Sequence, residues 1–140
     1  MLDLGTGTGV LAIAAAKALH EKVLASDIDP LSVQGRPRKR AARTCQGIWC
    51  RRSAPPASQR RNSQAAAPFD LVLANILANP LRQLATPMAR HLAPSALVIL
   101  SGLLTHQAPG VIAAYRARGL VPVRHLRIEG WSSLLLRKVD

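Results

Sequence analysis

Two short apolar runs near the start of the chain flank a longer segment that is rich in alanine. Residues 1–4 and 22–26 have the length and character of buried strands, and residues 10–19 consist almost entirely of strong helix formers. The helical segment is apolar nearly all round, as expected for a helix that packs on a sheet. A strand, a helix and a second strand in this order predict a parallel β-α-β unit with a right-handed crossover.

The alternation of strands and helices returns after residue 65. The unbroken apolar runs at 71–74 and 96–101 are typical of strands that are buried on both faces of a parallel sheet. A helix is predicted from Asn79, as its N-cap, to about Leu92, and a second helix over residues 107–118.

The last two apolar runs, residues 121–128 and 131–138, are separated only by Glu129 and Gly130. Strands this close in sequence must pair antiparallel. Together with the elements before them they predict an α/β fold with a doubly wound, mostly parallel, Rossmann-like sheet and an antiparallel last strand. We expect residues 1–140 to form a single domain of this kind.

The segment from Gln34 to Gln64 interrupts this pattern. It has no sustained helical or strand periodicity, so the sheet is predicted to be incomplete around its third strand. The segment carries nine Lys and Arg residues and no acid, which leaves +3 of the net charge of +12 for the rest of the chain. Two interpretations stay open: a disordered basic linker, or residues that result from reading the gene out of frame. We expect trypsin to cut first within this segment.

Composition narrows the class of protein further. Hydrophobic residues make up 49% of the chain and aromatic residues 3%, so the core must be built mainly from aliphatic side chains. Cys45 and Cys50 form neither a C-x-x-C pair nor half of a zinc site, and no metal site is predicted. No secretory signal and no apolar run of membrane-spanning length is recognisable, so we expect a cytoplasmic, monomeric protein.

A glycine-rich turn joins the first predicted strand to the first helix. Gly5, Gly7 and Gly9 follow Asp3 in the pattern Asp-x-Gly-x-Gly-x-Gly. Glycines at such a turn let a ligand lie against the backbone, and the N–H groups of the helix start favour polar or anionic ligand groups. The dinucleotide-binding fingerprint would place its third glycine at position 10, which is Val10, so a nicotinamide-dependent oxidoreductase is disfavoured.

Two polar residues follow predicted strands at the same edge of the sheet. Asp27 lies 18 residues after Gly9, close to the spacing of about 20 at which an acid accepts hydrogen bonds from the ribose hydroxyls of a nucleotide. Asn75 ends the strand at 71–74, where ligand sites of open parallel sheets are found. The alternatives are a solvent-facing acid for Asp27 and a capping residue for Asn75.

The glycine turn with Asp3 resembles motif I of the class I S-adenosylmethionine-dependent methyltransferases. Residues 70–81, Asp-Leu-Val-Leu-Ala-Asn-Ile-Leu-Ala-Asn-Pro-Leu, resemble more specifically the bacterial ribosomal protein methyltransferase family PrmA. The Asp-Ile-Asp-Pro of residues 27–30 and the Leu-Ser-Gly-Leu-Leu of residues 100–104 fit the same family. The resemblance covers about residues 1–33 and 65–140.

The resemblance implies an S-adenosylmethionine-dependent protein N-methyltransferase that acts on lysines and on the α-amino group of protein eleven of the large ribosomal subunit. The loop glycines and Asp3 would contact the cofactor, with Asp3 holding its methionine amino group. Asp27 would hold the ribose. Asn75 would also be a cofactor-binding residue, because it would lie beside the methyl group of the cofactor, and it would position the incoming amine. The family has an N-terminal substrate domain that we expect to be absent here, so the chain is expected to show little or no methylation.

Two further functions stay open. The basic segment 34–64 favours a nucleic-acid-binding protein, whose affinity would fall steeply with salt. Another class I methyltransferase with a different substrate would share the same cofactor-binding residues. Apart from contacts through the basic segment, neither a nucleic-acid nor a membrane partner is expected.

Overall fold

The structure is a computed structural model that describes residues 1–27, 51–53 and 68–139. These residues form a seven-stranded sheet in the order β3-β2-β1-β4-β5-β7-β6. The elements along the chain are β1 (Leu2–Leu4), α1 (Val10–Leu19), β2 (Leu24–Ser26), β3 (Arg51–Ser53), β4 (Phe69–Asn75), α2 (Ala78–Arg90), β5 (Leu92–Leu104), a 3-10 helix (Thr105–Gln107), α3 (Ala108–Arg116), β6 (Leu120–Ile128) and β7 (Trp131–Lys138).

The sheet is parallel from β3 to β5 and antiparallel beyond. Strands β1, β2, β3, β4 and β5 pair in parallel, whereas β7 is antiparallel to both β5 and β6. The connections from β1 to β2 and from β4 to β5 run in opposite directions across the sheet, so right-handed crossovers place α1 and α2 on opposite faces. The predicted doubly wound, mostly parallel sheet is therefore confirmed.

A third strand is present where none was predicted. Arg51–Ser53 pairs in parallel with β2, with Arg51 opposite Leu24 and Ser53 opposite Ser26, so the prediction of a missing third strand is wrong at these residues. An edge strand needs backbone pairing on one side only and often carries charged residues, so its sequence shows no apolar alternation. The rest of the predicted basic segment, residues 34–50 and 54–64, lies outside the described residues.

Helix α2 begins one residue before the predicted cap. Its N-cap is Leu77, whose backbone is extended, so the prediction of Asn79 as N-cap is wrong. Pro80 then falls in the first turn, where backbone N–H groups have no partner within the helix and a proline is tolerated. Pro87 lies inside the helix, which continues to Arg90.

The larger of two core clusters lies between the sheet and helices α2 and α3. It includes Leu81 of α2, Tyr115 of α3 and Leu100 of β5, all fully buried. A smaller cluster around Ala12 and Val23 lies under α1. Within the described part of the chain, no helix is long and apolar enough to cross a membrane.

Candidate functional site

The glycine loop forms the turn between β1 and α1. Gly5, Gly7 and Gly9 have φ angles of 68°, 51° and 81°, in the left-handed region that favours glycine. A Cβ at Gly7 would meet no atom of the described residues within 4 Å, whereas a Cβ at Gly5 would overlap the side chain of Ile76. The loop therefore packs at Gly5 against Ile76, the residue after β4, and leaves open space beside Gly7.

Asp3 anchors this loop from within the sheet. Its side chain is 1% exposed, and its Oδ2 accepts hydrogen bonds from the Thr6 hydroxyl at 2.6 Å and from the Ala12 backbone N–H at 3.0 Å. Ala12 belongs to the first turn of α1, whose N-cap Gly9 supplies no side-chain acceptor. Asp3 thus caps α1 from nine residues upstream, a role that the glycine spacing did not reveal.

The second carboxylate oxygen of Asp3, Oδ1, is buried and has no hydrogen-bond partner among the described residues. Burial raises the pKa of the Asp3 carboxyl above its usual range, the hydrogen bonds from Thr6 and Ala12 lower the pKa in part, and the charge of Asp27 raises it further. A buried acceptor without a partner is costly, so a ligand that donates a hydrogen bond to Oδ1 would remove that cost. An amino group is such a donor.

Asp27 follows β2 and reaches back to the glycine loop. Its Oδ2 accepts the Gly7 backbone N–H at 2.7 Å. The backbone N–H groups of Gly5 and Thr6 donate to the Ser26 carbonyl at 2.8 and 3.1 Å. The end of β2 therefore holds three backbone donors of the loop, and Asp27 helps to fix the loop at the edge where a ribose-binding acid was predicted.

Asn75 ends β4, beside β1 in the sheet. Leu4 pairs with Ala74, so Asn75 lies at the same edge of the sheet as Gly5. The Asn75 side chain is exposed. The structure thus brings the carboxyl ends of β1, β2 and β4 together, with two carboxylates, one carboxamide and an open stretch of backbone.

This arrangement fits a ligand that carries an amine and several hydroxyl groups. Carboxylates are acceptors that match such donors, and the open backbone at Gly7 leaves room for a close approach. Among the described residues, no group of three His, Cys, Asp or Glu side chains could hold a metal ion. S-adenosylmethionine, with its methionine amino group and ribose, has the chemistry that these residues would accept.

Solved structures share this architecture. Ribosomal protein L11 methylase from Lactobacillus delbrueckii subsp. bulgaricus is similar with a TM-score of 0.77 at 29% identity, over 99% of this chain and 69% of that one. An RNA methyltransferase from Salinibacter ruber, in complex with S-adenosyl-L-homocysteine, is similar with a TM-score of 0.70 at 19% identity, over 99% of this chain and 80% of that one, and shows the fold alone. The fold of this chain is that of the Rossmann-like class I methyltransferases.

The family follows from sequence comparison. The family model of ribosomal protein L11 methyltransferase (PrmA) matches residues 1–139, and the chain belongs to this family. The L11 methyltransferases of Bradyrhizobium diazoefficiens and Rhodopseudomonas palustris are 71% and 65% identical over 144 and 140 residues. These matches cover 99% of this chain and 47% and 46% of the relatives, so the chain spans about half of their length. The predicted resemblance is confirmed, and the match also extends across residues 34–64.

Proposed function

We propose that the chain binds S-adenosylmethionine at the carboxyl edge of β1, β2 and β4, and that it serves the N-methylation of ribosomal protein L11 on lysine side chains and the α-amino group. The observation that carries the proposal is the meeting of Asp3, the open backbone at Gly7 and Asp27 at that edge. Membership of the L11 methyltransferase family supports the same substrate.

Each residue of the loop edge has one task in this proposal. Asp3 accepts a hydrogen bond from the methionine amino group through the oxygen that has no partner among the described residues. Asp27 accepts hydrogen bonds from the ribose hydroxyls while its Oδ2 also holds the Gly7 N–H. When bound, S-adenosylmethionine supplies an electrophilic methyl group.

Asn75 is the residue that would position the incoming amine. Its carboxamide oxygen can accept an N–H of the amine, so the nitrogen lone pair is directed away from Asn75 and toward the site. An amine must be neutral to act as a nucleophile, so an environment that disfavours the ammonium form of lysine would help. The contribution of the chain is mainly this orientation of two reactants.

Calorimetric titration with S-adenosylmethionine tests the cofactor part of the proposal. Asp27→Ala removes hydrogen bonds to a charged group, each of which contributes about 1.5–3 kcal/mol, so we expect the affinity to fall at least tenfold. Asp70→Ala is the matched control, because this acid is 80% exposed near the amino end of β4. Equal binding by wild type and Asp27→Ala, with a melting temperature that shows both folded, would remove Asp27 from the site.

Transfer of a tritiated methyl group to isolated ribosomal protein L11 tests the substrate part. Asn75→Ala should lose methyl transfer and keep most of its affinity for S-adenosylmethionine, because Asn75 would meet the cofactor only beside its methyl group, whereas the glycine loop, Asp3 and Asp27 would hold the rest of it. The full-length relative from Bradyrhizobium diazoefficiens, with and without the equivalent substitution, is the positive control. Undiminished transfer by the Asn75→Ala variant of this relative would argue against the assigned role.

A further inference from the structure

Gly102 lies on β5, next to the residue that pairs with Asn75. Strands β4 and β5 run in parallel with Asn75 opposite Ser101. The pairing of β5 with β7 shifts register between Leu100 and Leu103, and Gly102 inside this irregularity has a φ of +78°. A β-bulge of this kind re-aims the local backbone.

The bulge leaves no room for a side chain at position 102. A Cβ built on Gly102 would lie 2.8 Å from Asn75 Oδ1 and 2.9 Å from the Ile76 carbonyl oxygen. Both separations are shorter than van der Waals contact with carbon, and the Ile76 carbonyl carbon would be only 3.3 Å away. The Asn75 amide oxygen can keep its present position only because residue 102 has no side chain.

A second glycine, Gly5, lies close to the end of β4 from the side of β1. Strand β4 lies between β1 and β5 in the sheet. At the β1 side, a Cβ on Gly5 would overlap Cγ2 of Ile76. Ile76, the residue after β4, is therefore close to both glycines, whereas Asn75 is close to Gly102 alone.

We infer that Gly102 is a positioning residue for Asn75. Because Gly102 has no side chain, the Asn75 amide oxygen can lie next to the bulge of β5, and this contact fixes the direction of the carboxamide. Any larger residue at position 102 turns the carboxamide away and changes where its acceptor and its donors point. This inference rests on the proposed function for its effect on methyl transfer, whereas the contact between Gly102 and Asn75 stands independently of any activity.

Gly102→Ala tests the inference, with Gly130→Ala as the matched control. Gly130 has a φ of +81°, and a Cβ there would meet nothing within 4 Å among the described residues. Both substitutions place alanine at a left-handed backbone position, so they share that strain and differ in the steric contact. We expect Gly102→Ala to lower the melting temperature by about 4 °C more than Gly130→Ala.

A double-mutant cycle identifies the clash with Asn75. Asn75→Ala removes the amide oxygen. It should therefore restore part of the additional decrease in melting temperature when combined with Gly102→Ala, and it should restore nothing when combined with Gly130→Ala. The side-chain amide resonances of Asn75 in an ¹⁵N–¹H spectrum should move in Gly102→Ala and stay in place in Gly130→Ala. Equal melting losses for the two alanine variants, or no coupling with Asn75, would overturn the inference.

Binding and turnover separate this inference from the proposed function. Gly102→Ala should keep its affinity for S-adenosylmethionine within about threefold, while kcat for methylation of L11, measured in the full-length relative, falls at least tenfold. If the wild-type chain does not bind S-adenosylmethionine, the proposed function fails, yet the cycle and the Asn75 resonances still decide the role of Gly102. If Gly102→Ala does not fold, recovery of folding in the double variant with Asn75→Ala supports the inference, and its absence overturns it.

Discussion

Two substitutions of Asp3 should distinguish its contribution to the stability of the fold from its contribution to ligand binding. Asp3→Ala deprives the Thr6 hydroxyl and the Ala12 N–H of their acceptor. Hydrogen bonds to a charged group contribute about 1.5–3 kcal/mol each, and the bond from Ala12 is itself the cap of α1. In wild type, the cost of burying the Asp3 carboxylate offsets part of the stabilisation from these hydrogen bonds. We therefore expect Asp3→Ala to lower the free energy of unfolding by about 3 kcal/mol. The melting temperature should then fall by about 10 °C.

Asp3→Asn should behave differently, because asparagine keeps one acceptor oxygen for Thr6 and Ala12 while its NH₂ replaces the oxygen that has no partner. Burial is the main cause of the raised pKa of Asp3, so the neutral form is the less costly one in the fold, and we expect Asn to cost less than about 1 kcal/mol. Its NH₂ group cannot accept a hydrogen bond from an amine. Affinity for S-adenosylmethionine should therefore fall at least tenfold although the chain stays folded.

The pH dependence of Asp3 provides a second check. A carboxyl whose pKa is raised on folding contributes stability that is fully present below the unfolded value of 3.8 and is lost as pH rises through the folded pKa. The free energy of unfolding of wild type, relative to that of Asp3→Asn, should therefore decrease as the pH rises from 3.8 through the folded pKa of Asp3. Urea unfolding followed by circular dichroism measures the free energy of unfolding of each variant and its change with pH. Asp70→Asn is the exposed control. An Asn variant as unstable as Asp3→Ala would refute the reasoning, and so would an Ala variant that loses less than about 1 kcal/mol.

Two further predictions concern the carboxyl-terminal half. Burial and the nearby Arg127 lower the pKa of His125, whose Nε2 hydrogen-bonds to Ser132 Oγ at 2.9 Å, so stability should fall as pH drops below 6.5 through the lowered pKa. Urea midpoints at pH 7.5 and 5.5 should show this change in wild type and a smaller one in His125→Gln; equal changes in both would exclude His125 as the source. The Tyr115 hydroxyl is buried with no partner among the described residues, so Tyr115→Phe should raise the free energy of unfolding by about 1 kcal/mol, and a measured decrease would contradict this account.

Local sequence signals were sufficient for most of the elements. The alanine-rich run predicted α1 with the bounds that the structure gives, and the two apolar runs around Glu129 and Gly130 predicted the β6–β7 hairpin to within one residue. Continuous periodicity and glycine punctuation act within a few residues, so they can be read without knowledge of the fold. The single-domain organisation over residues 1–140 stays a prediction.

Features that depend on strand neighbours were not predictable in this way. Arg51–Ser53 has no apolar pattern in the sequence, and its place in the sheet follows only from its pairing with β2. The contact of Gly102 with Asn75 requires β4 and β5 to be adjacent in a given register. The bond from Gly7 to Asp27 likewise needs the loop to lie over the end of β2. Spacing indicated the candidate residues, but the roles of Asp3 and Asp27 in holding the loop follow only from three-dimensional contacts.

The pairing of β1 with β4 has a consequence for the order in which the site is assembled. The bonds that Asp3 and Asp27 make to the loop join residues at most 20 positions apart, so this half can close early in folding, when short loops form fastest. Asn75 arrives only when Leu2 aligns with Val72 and Leu4 with Ala74, a long-range contact of the kind that slows folding. The site is therefore whole only once β1 has paired with β4, whereas the loop and the two acids that hold it depend on contacts that are short in sequence.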